Sequence, residues 1–201
     1  MRFDVQGGFD MKKRMAVFLL AALLLAALCG CGGKDWSGTH HVEIVVKDYG
    51  TITVEINGDA APITAANFLN LAKKGFYDGT TFYRVLDGFA IYGGDPNKNG
   101  TGSSGATITG EFTSNGVANP LSNTRGAIGM ARGVHYNSAS CQFYILQSDA
   151  TYLDGDFAVF GQVITGISVV DDICAGVQTS NAEGYVPTAG QPIISEINVL
   201  D

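Results

Sequence analysis

Two β-branched runs, "HVEIVVK" from His41 and "TITVEI" from Thr51, stand only Asp48-Tyr49-Gly50 apart. Val, Ile and Thr are stiff at χ1 and suit a pleated surface, while Asp and Gly suit a tight turn, so the pair predicts an antiparallel hairpin. The period then changes. In "PITAANFLNLAKKGFYDG", Ala65, Phe68, Leu69 and Ala72 recur at helical spacing, Pro62 suits a first turn, and Gly75 suits a C-cap. A second helix is predicted in "ISVVDDICAGV", with Ile167, Val170, Ile173 and Cys174 on one face before Gly176. Short strand candidates surround Phe82, Phe89, Ile128, Phe143 and Phe160, and "QPIISEINVL" reads as a final strand. Many short strands with two helices predict a mainly β fold, a closed antiparallel barrel capped by the helices. Without an internal repeat or a long linker, residues 41–201 read as one domain. The 27 glycines and 5 prolines fit a chain that turns often.

The N-terminus reads differently. Lys12, Lys13 and Arg14 precede an unbroken apolar run from Met15 to Leu28, the n-region and h-region of a signal peptide. Its length falls short of the roughly 20 residues a bilayer span needs. The run ends in Leu28-Cys29-Gly30-Cys31, which resembles the lipobox of bacterial lipoproteins. That resemblance implies cleavage after residue 30 and a lipid on Cys31. Cys29 fits less well, because bulky Leu28 precedes it. An ordinary secretory signal with two incidental cysteines is the alternative. Residues 1–10 add nothing a signal needs, so Met11 is a candidate true start. Residues 31–40 read as a polar tether.

Removing residues 1–30 leaves 8 cations against 17 anions. A body that acidic repels phosphate backbones and anionic headgroups, so nucleic acid is excluded as a partner and the lipid anchor alone is expected to hold the membrane. The expected location is extracytoplasmic, lipid-anchored to the bacterial cell membrane, and the expected state is a monomer. Cys141 and Cys174 have no metal-ligand spacing and read as small core residues, with one disulfide between them left open.

Several motifs resemble sites without their context. Gly100 to Gly105 satisfies G-x-G-x-x-G, but "ATITGEF" after it reads as a strand, where a dinucleotide site requires a helix. Asp95 to Gly100 copies the opening of an EF-hand loop, yet Ala106 stands where a bidentate carboxylate is required. His135 reads as a loop residue and Leu153 to Asp156 as a turn. No metal and no cofactor are expected.

Four ordered segments do agree on one family. "FYRVLDGFAIYGGDP", Phe82 to Pro96, resembles the cyclophilin signature, in which Phe-x-Arg-Val and Gly-Phe precede Gly-Gly-Asp. "NTRGAIGMAR" from Asn123, "NSASCQFYI" from Asn137 and "YLDGDFAVFGQV" from Tyr152 resemble the family's central strand and remaining active-site segments, in order. The resemblance covers about 41–200. It implies a closed eight-stranded antiparallel barrel, peptidyl-prolyl cis-trans isomerase activity, and proline-containing polypeptides as substrates.

The chemistry agrees with that implication. Rotation about a peptide bond faces a barrier of about 18–20 kcal/mol, and Xaa-Pro exchange takes tens of seconds or longer without a catalyst. No bond is made or cut, so no nucleophile, metal or titrating pair is needed. The reaction needs a water-poor pocket for the proline ring and a donor that binds the twisted amide better than the planar one. Arginine suits that role because it stays protonated and presents a rigid fork. The resemblance assigns it to Arg84, and assigns substrate contact to Phe89, Ala90, Tyr92, Ala131, Gln142, Tyr144, Tyr152, Leu153 and Phe157. A filled barrel interior puts these on the outer face, with Phe143 turned to the core.

Five of these positions depart from the family pattern. Ala90 stands where Met is usual, shortening one wall of the proline pocket, and Tyr92 where Gln is usual. Tyr92 either stacks against Arg84 and holds it, or displaces it. Tyr144 replaces a common Phe, Tyr152 a frequent Trp and Phe157 a frequent His. The departures imply a lowered catalytic rate and reduced affinity for cyclosporin-type ligands. Two function classes follow. The first is an isomerase that speeds folding of exported proteins. The second is a catalytically weak cyclophilin-like module that binds proline-containing segments.

Overall fold

The computed structural model describes residues 35–201. The expected signal peptide, the candidate start at Met11 and the expected lipidation at Cys31 lie outside the described residues. The folded unit runs from Trp36 to Asp201. It therefore begins inside the segment read as a tether: Trp36 is buried, and its indole Nε1 donates to Asn70 Oδ1 at 2.9 Å.

Strands β1 (Thr39–Val46) and β2 (Gly50–Asn57) form the predicted hairpin, with Val46 paired to Gly50 across the turn. Asp48 and Gly50 take positive φ, +66° and +126°, the conformations that Asp and Gly tolerate best. Val42, Ile44 and Val46 of one strand, and Ile52, Val54 and Ile56 of the other, are all buried.

Helix α1 (Pro62–Lys73) buries Ala65, Phe68, Leu69 and Ala72, the face that the spacing predicts. Its N-cap, Ala61, has no side-chain oxygen, so the exposed amides find a partner elsewhere. Buried Glu111 receives the Ile63 amide on Oε1 at 2.9 Å and the Thr64 amide on Oε2 at 2.7 Å. A carboxylate there also meets the positive end of the helix dipole. Further along the buried face, the Phe68 ring packs 5.2–5.4 Å from those of Tyr77, Phe143 and Phe160.

Strands β3 (Arg84–Leu86), β4 (Ala90–Gly93), β5 (Ala127–Met130), β6 (Phe143–Leu146) and β7 (Val159–Thr165) follow, then helix α2 (Ile167–Gly176) and strand β8 (Ile194–Val199). Helix α2 buries Val169, Val170, Ile173 and Cys174. Ile167, in its first turn, is only partly covered, and Val169 takes the buried place expected of it. Three strand expectations fail locally. Phe82 lies just before β3, outside any strand. Phe89 lies in the three-residue turn between β3 and β4, where Gly88 takes φ +78°. "ATITGEF" makes a single bridge, Ile108 to Ala139, and is otherwise irregular.

The eight strands form one antiparallel sheet in the order β3-β4-β6-β5-β7-β2-β1-β8. The closed barrel predicted from the sequence is not what forms: the sheet is an open half-barrel with β3 and β8 as its edges. The reason lies in the segments that would zip the seam. β3 has only three residues, and the chain before β8 carries Pro187 and Pro192, which lack N–H groups, around a short 3₁₀ turn. Isolated bridges, Thr81 to Ile193 and Arg84 to Tyr185, stand there instead of a ladder.

Strand alternation divides the apolar residues between the two faces of the sheet. Val85, Ile91, Ile128, Phe143, Ile145 and Phe160 join the main core with both helices. Their neighbours Ala90, Ala127, Tyr144, Leu146 and Val159 form a second, smaller cluster on the other face.

Candidate active site

The site is organised by a row across four strands of that second face. Arg84 on β3 is paired with Tyr92 on β4, Tyr92 with Tyr144 on β6, and Tyr144 with Gly129 on β5. The side chains follow the register. The Arg84 guanidinium carbon lies 4.7 Å from the centroid of the Tyr92 ring, and the Tyr92 and Tyr144 rings are 5.9 Å apart. The Tyr144 ring then covers Gly129 so closely that a Cβ there would lie 2.2 Å from its Cζ and hydroxyl.

Of the two outcomes open for Arg84, the structure has it held by Tyr92. A second ring, Tyr185, lies 5.9 Å from the guanidinium, and Arg84 Nε donates to the backbone oxygen of Glu183 at 2.6 Å. Burial pushes the Tyr92 hydroxyl above its ordinary pKa, with the Arg84 charge pulling the other way. The ring facing the cation therefore stays neutral.

Beside this row, Phe89, Tyr92, Ala131, Leu153 and Phe157 pack around the second cluster as partly buried residues. Tyr152 is exposed and stacks on Phe89, with ring centroids 6.5 Å apart and planes at 18°. Nine of the ten predicted site residues thus share one apolar face. Two of them, Ala90 and Tyr144, are 0% and 2% exposed, so they form its floor and offer a ligand almost no surface.

The tenth, Gln142, lines an adjoining cavity, and its amide is already committed. Its Oε1 accepts from the Tyr83 hydroxyl at 2.6 Å, and its Nε2 donates to the backbone oxygens of Gly100 and Gly102 at 3.2 and 2.8 Å. Gln142 therefore fixes the loop that walls the cavity. The cavity, about 430 Å³, is lined by Arg84, Tyr92, Ala131 and Gln142, and also by Arg132, Tyr185 and Ser140.

Sequence reasoning passed over Tyr83, Arg132, Asn123 and Tyr185. Asn123 receives the Tyr144 hydroxyl on its Oδ1 at 2.6 Å, and its own Nδ2 and backbone N–H donate to Asp154 Oδ1 at 2.9 and 2.7 Å. Ser122 Oγ donates to the other oxygen of Asp154 at 2.5 Å. Desolvation pushes the Asp154 carboxyl up, but these three donors outweigh it and hold the group below its ordinary pKa. Asp154 thus pins the turn that carries Tyr152, Leu153 and Phe157. Burial also pushes the Cys141 thiol up to about 11 and that of Cys174 up to about 12. Both are free and buried, consistent with core residues. In the loop that resembles an EF-hand opening, the Asp95 carboxylate is occupied by the amides of Asn97, Asn99 and Gly100.

Comparison with known proteins decides the family. The sequence model described as "Cyclophilin type peptidyl-prolyl cis-trans isomerase/CLD" matches residues 41–199. The chain belongs to the cyclophilin family. Its cyclophilin domain is that of a peptidyl-prolyl cis-trans isomerase, and curated relatives carry the same activity in their names. Peptidyl-prolyl cis-trans isomerase A of Dickeya dadantii is 33% identical over 189 residues, 92% of this chain and 95% of that protein. A peptidyl-prolyl cis-trans isomerase of Acinetobacter baylyi is 40% identical over 149 residues, 72% of this chain and 77% of that one. Among solved structures, a cyclophilin-type isomerase of Cryptosporidium parvum, crystallised in the presence of the dipeptide Ala-Pro, superposes with a TM-score of 0.70 at 27% identity. It covers 80% of this chain and 99% of its own.

Proposed function

We propose that this cyclophilin is a lipid-anchored, extracytoplasmic isomerase that accelerates folding of exported proteins by acting on their Xaa-Pro bonds, with Arg84 as the catalytic donor. The observation that carries the reading is the placement of Arg84, a cation 4.7 and 5.9 Å from two tyrosine rings at the border of an apolar cluster. The proline ring would sit against Phe89, Leu153 and Phe157, shielded from water. As the amide twists, its nitrogen loses conjugation and becomes able to accept a hydrogen bond. A fixed guanidinium beside it stabilises that state more than the planar one, which is what lowers the barrier. The anchoring part of the proposal rests on the apolar run from Met15 and on Leu28-Cys29-Gly30-Cys31.

A second reading, a weakly catalytic binding module, draws support from Ala90 and Tyr92, two departures from the family pattern beside Arg84. One experiment separates the two. The exchange rate of an Xaa-Pro peptide is followed by NMR with residues 34–201 and with its Arg84→Ala variant. The enzyme reading expects acceleration by the native domain and a loss of about 10²-fold in the variant, the usual effect of removing one preorganised donor. Binding of the peptide without acceleration would establish the module instead. Metabolic labelling of the full chain with a fatty-acid probe tests the anchor, since Cys31→Ser should abolish incorporation.

A further inference from the structure

The cavity beside the apolar cluster has a charge unlike the rest of the molecule. The chain as a whole carries 12 basic against 19 acidic residues. The cavity, by contrast, is lined by two arginines, Arg84 and Arg132, and by no acidic residue among the described residues. Its other polar groups are the Gln142 amide and hydroxyls such as those of Ser103, Ser138 and Ser140. Asp95, the carboxylate packed behind Gly102, is occupied by three backbone amides.

Arg132 is built into place. Its guanidinium carbon lies 4.7 Å from the Phe157 ring centroid, 5.1 Å from that of Phe112 and 5.2 Å from that of Tyr136. Its Nε donates to the Asp156 backbone oxygen at 3.0 Å and its Nη1 to that of Gly133 at 3.0 Å. Nη2 has no hydrogen-bond partner among the described residues. Nη1 also donates to the Val134 backbone oxygen at 3.5 Å, so three aromatic contacts and three hydrogen bonds fix a cavity-lining cation that keeps one unpaired donor group. Ala131 and Tyr92 line the cavity and also pack against the apolar cluster. A peptide whose proline rests on that cluster therefore brings a nearby residue over the cavity.

We propose that Arg132 is a specificity residue that selects substrates with an acidic side chain close to the proline, received in this cavity. The proposal rests on the apolar cluster being the proline site. A fixed guanidinium with a free donor favours a carboxylate, and no acidic side chain lines the cavity to compete for it. A lysine side chain brought to the same place would meet two like charges.

The test uses N-acetylated, C-amidated Xaa-Pro peptides, so that a side chain is the only carboxylate, with Glu, Gln or Lys placed one to three residues from the proline on either side. For the native domain, kcat/KM at one of these positions should be about three- to tenfold higher for Glu than for isosteric Gln, and lowest for Lys. The preference should shrink with added salt, move to near one in Arg132→Gln and return in part in Arg132→Lys. Equal rates for Glu and Gln at every position would overturn the proposal. So would an Arg132→Gln variant in which both peptides lose rate together, since that marks a structural role alone. If no peptide is turned over, equilibrium binding of the same set reads the same ratio. The isomerase reading and the charge preference can therefore fail separately.

Discussion

Arg84 and Tyr92 are direct cross-strand partners, and the guanidinium carbon of one lies 4.7 Å from the ring centroid of the other. The tyrosine occupies a place where a hydrogen-bonding glutamine is usual in the resembling signature. Here the arginine lies over the π-face of the ring instead.

Tyr92→Ala should therefore lower kcat/KM by about two- to fivefold, the equivalent of one exposed cation–π contact, while Tyr92→Phe keeps the ring and most of the rate. Steady-state isomerisation of one tetrapeptide by the three proteins checks this. Equal rates for all three would show that Tyr185 and the Glu183 carbonyl suffice to hold Arg84.

Gly129 lies under the Tyr144 ring, where a methyl group would meet Cζ and the hydroxyl at 2.2 Å. Gly129→Ala should push that ring off the floor of the site, break its bond to Asn123 and cost about 1–3 kcal/mol of stability through overpacking. Urea unfolding followed by circular dichroism measures the cost. A midpoint equal to the native one would mean that the ring moves freely.

Glu111 caps a helix that begins with Ala61-Pro62 and has no local capping side chain. Glu111→Gln removes the charge and leaves one carbonyl for two amides, so stability should fall by about 1.5–3 kcal/mol, with isomerase activity of the folded protein unchanged. Thermal melting and a peptide assay below the transition report the two effects separately.

Asp154 has a folded-state pKa below its ordinary value because Ser122 and Asn123 donate to it. Its contribution is thus present above the unfolded value of about 3.9 and disappears as pH falls through the lower folded value. Amide signals of Tyr152, Leu153 and Gly155 should shift together in that acid window. Asp154→Asn should abolish the shift, and an unchanged titration in that variant would show that another group drives it.

Much of the architecture is legible in the sequence. The hairpin, both helices, and the strands around Ile128, Phe143 and Phe160 were signalled by period and turn residues, which act over a few positions. The closed barrel was misread because a seam is decided by whether two edges have continuous N–H donors. Pro187 and Pro192 deny that to one edge and the shortness of β3 to the other. Phe89 was placed in a strand because aromatic residues favour strands, whereas the Asp87-Gly88 turn beside it dominates locally.

The sequence by itself determined the family: "FYRVLDGFAIYGGDP" and three further segments carried the resemblance that named Arg84, Phe89, Ala90 and Tyr92 as site residues. Only the tertiary structure decided what holds them. Glu183 bonds Arg84 across 99 positions of chain, Glu111 caps α1 across 48, and Arg132 meets Asp156 across 24. No local preference encodes such pairs. They arise where the folding of the sheet brings distant loops together and unpaired polar groups must find partners.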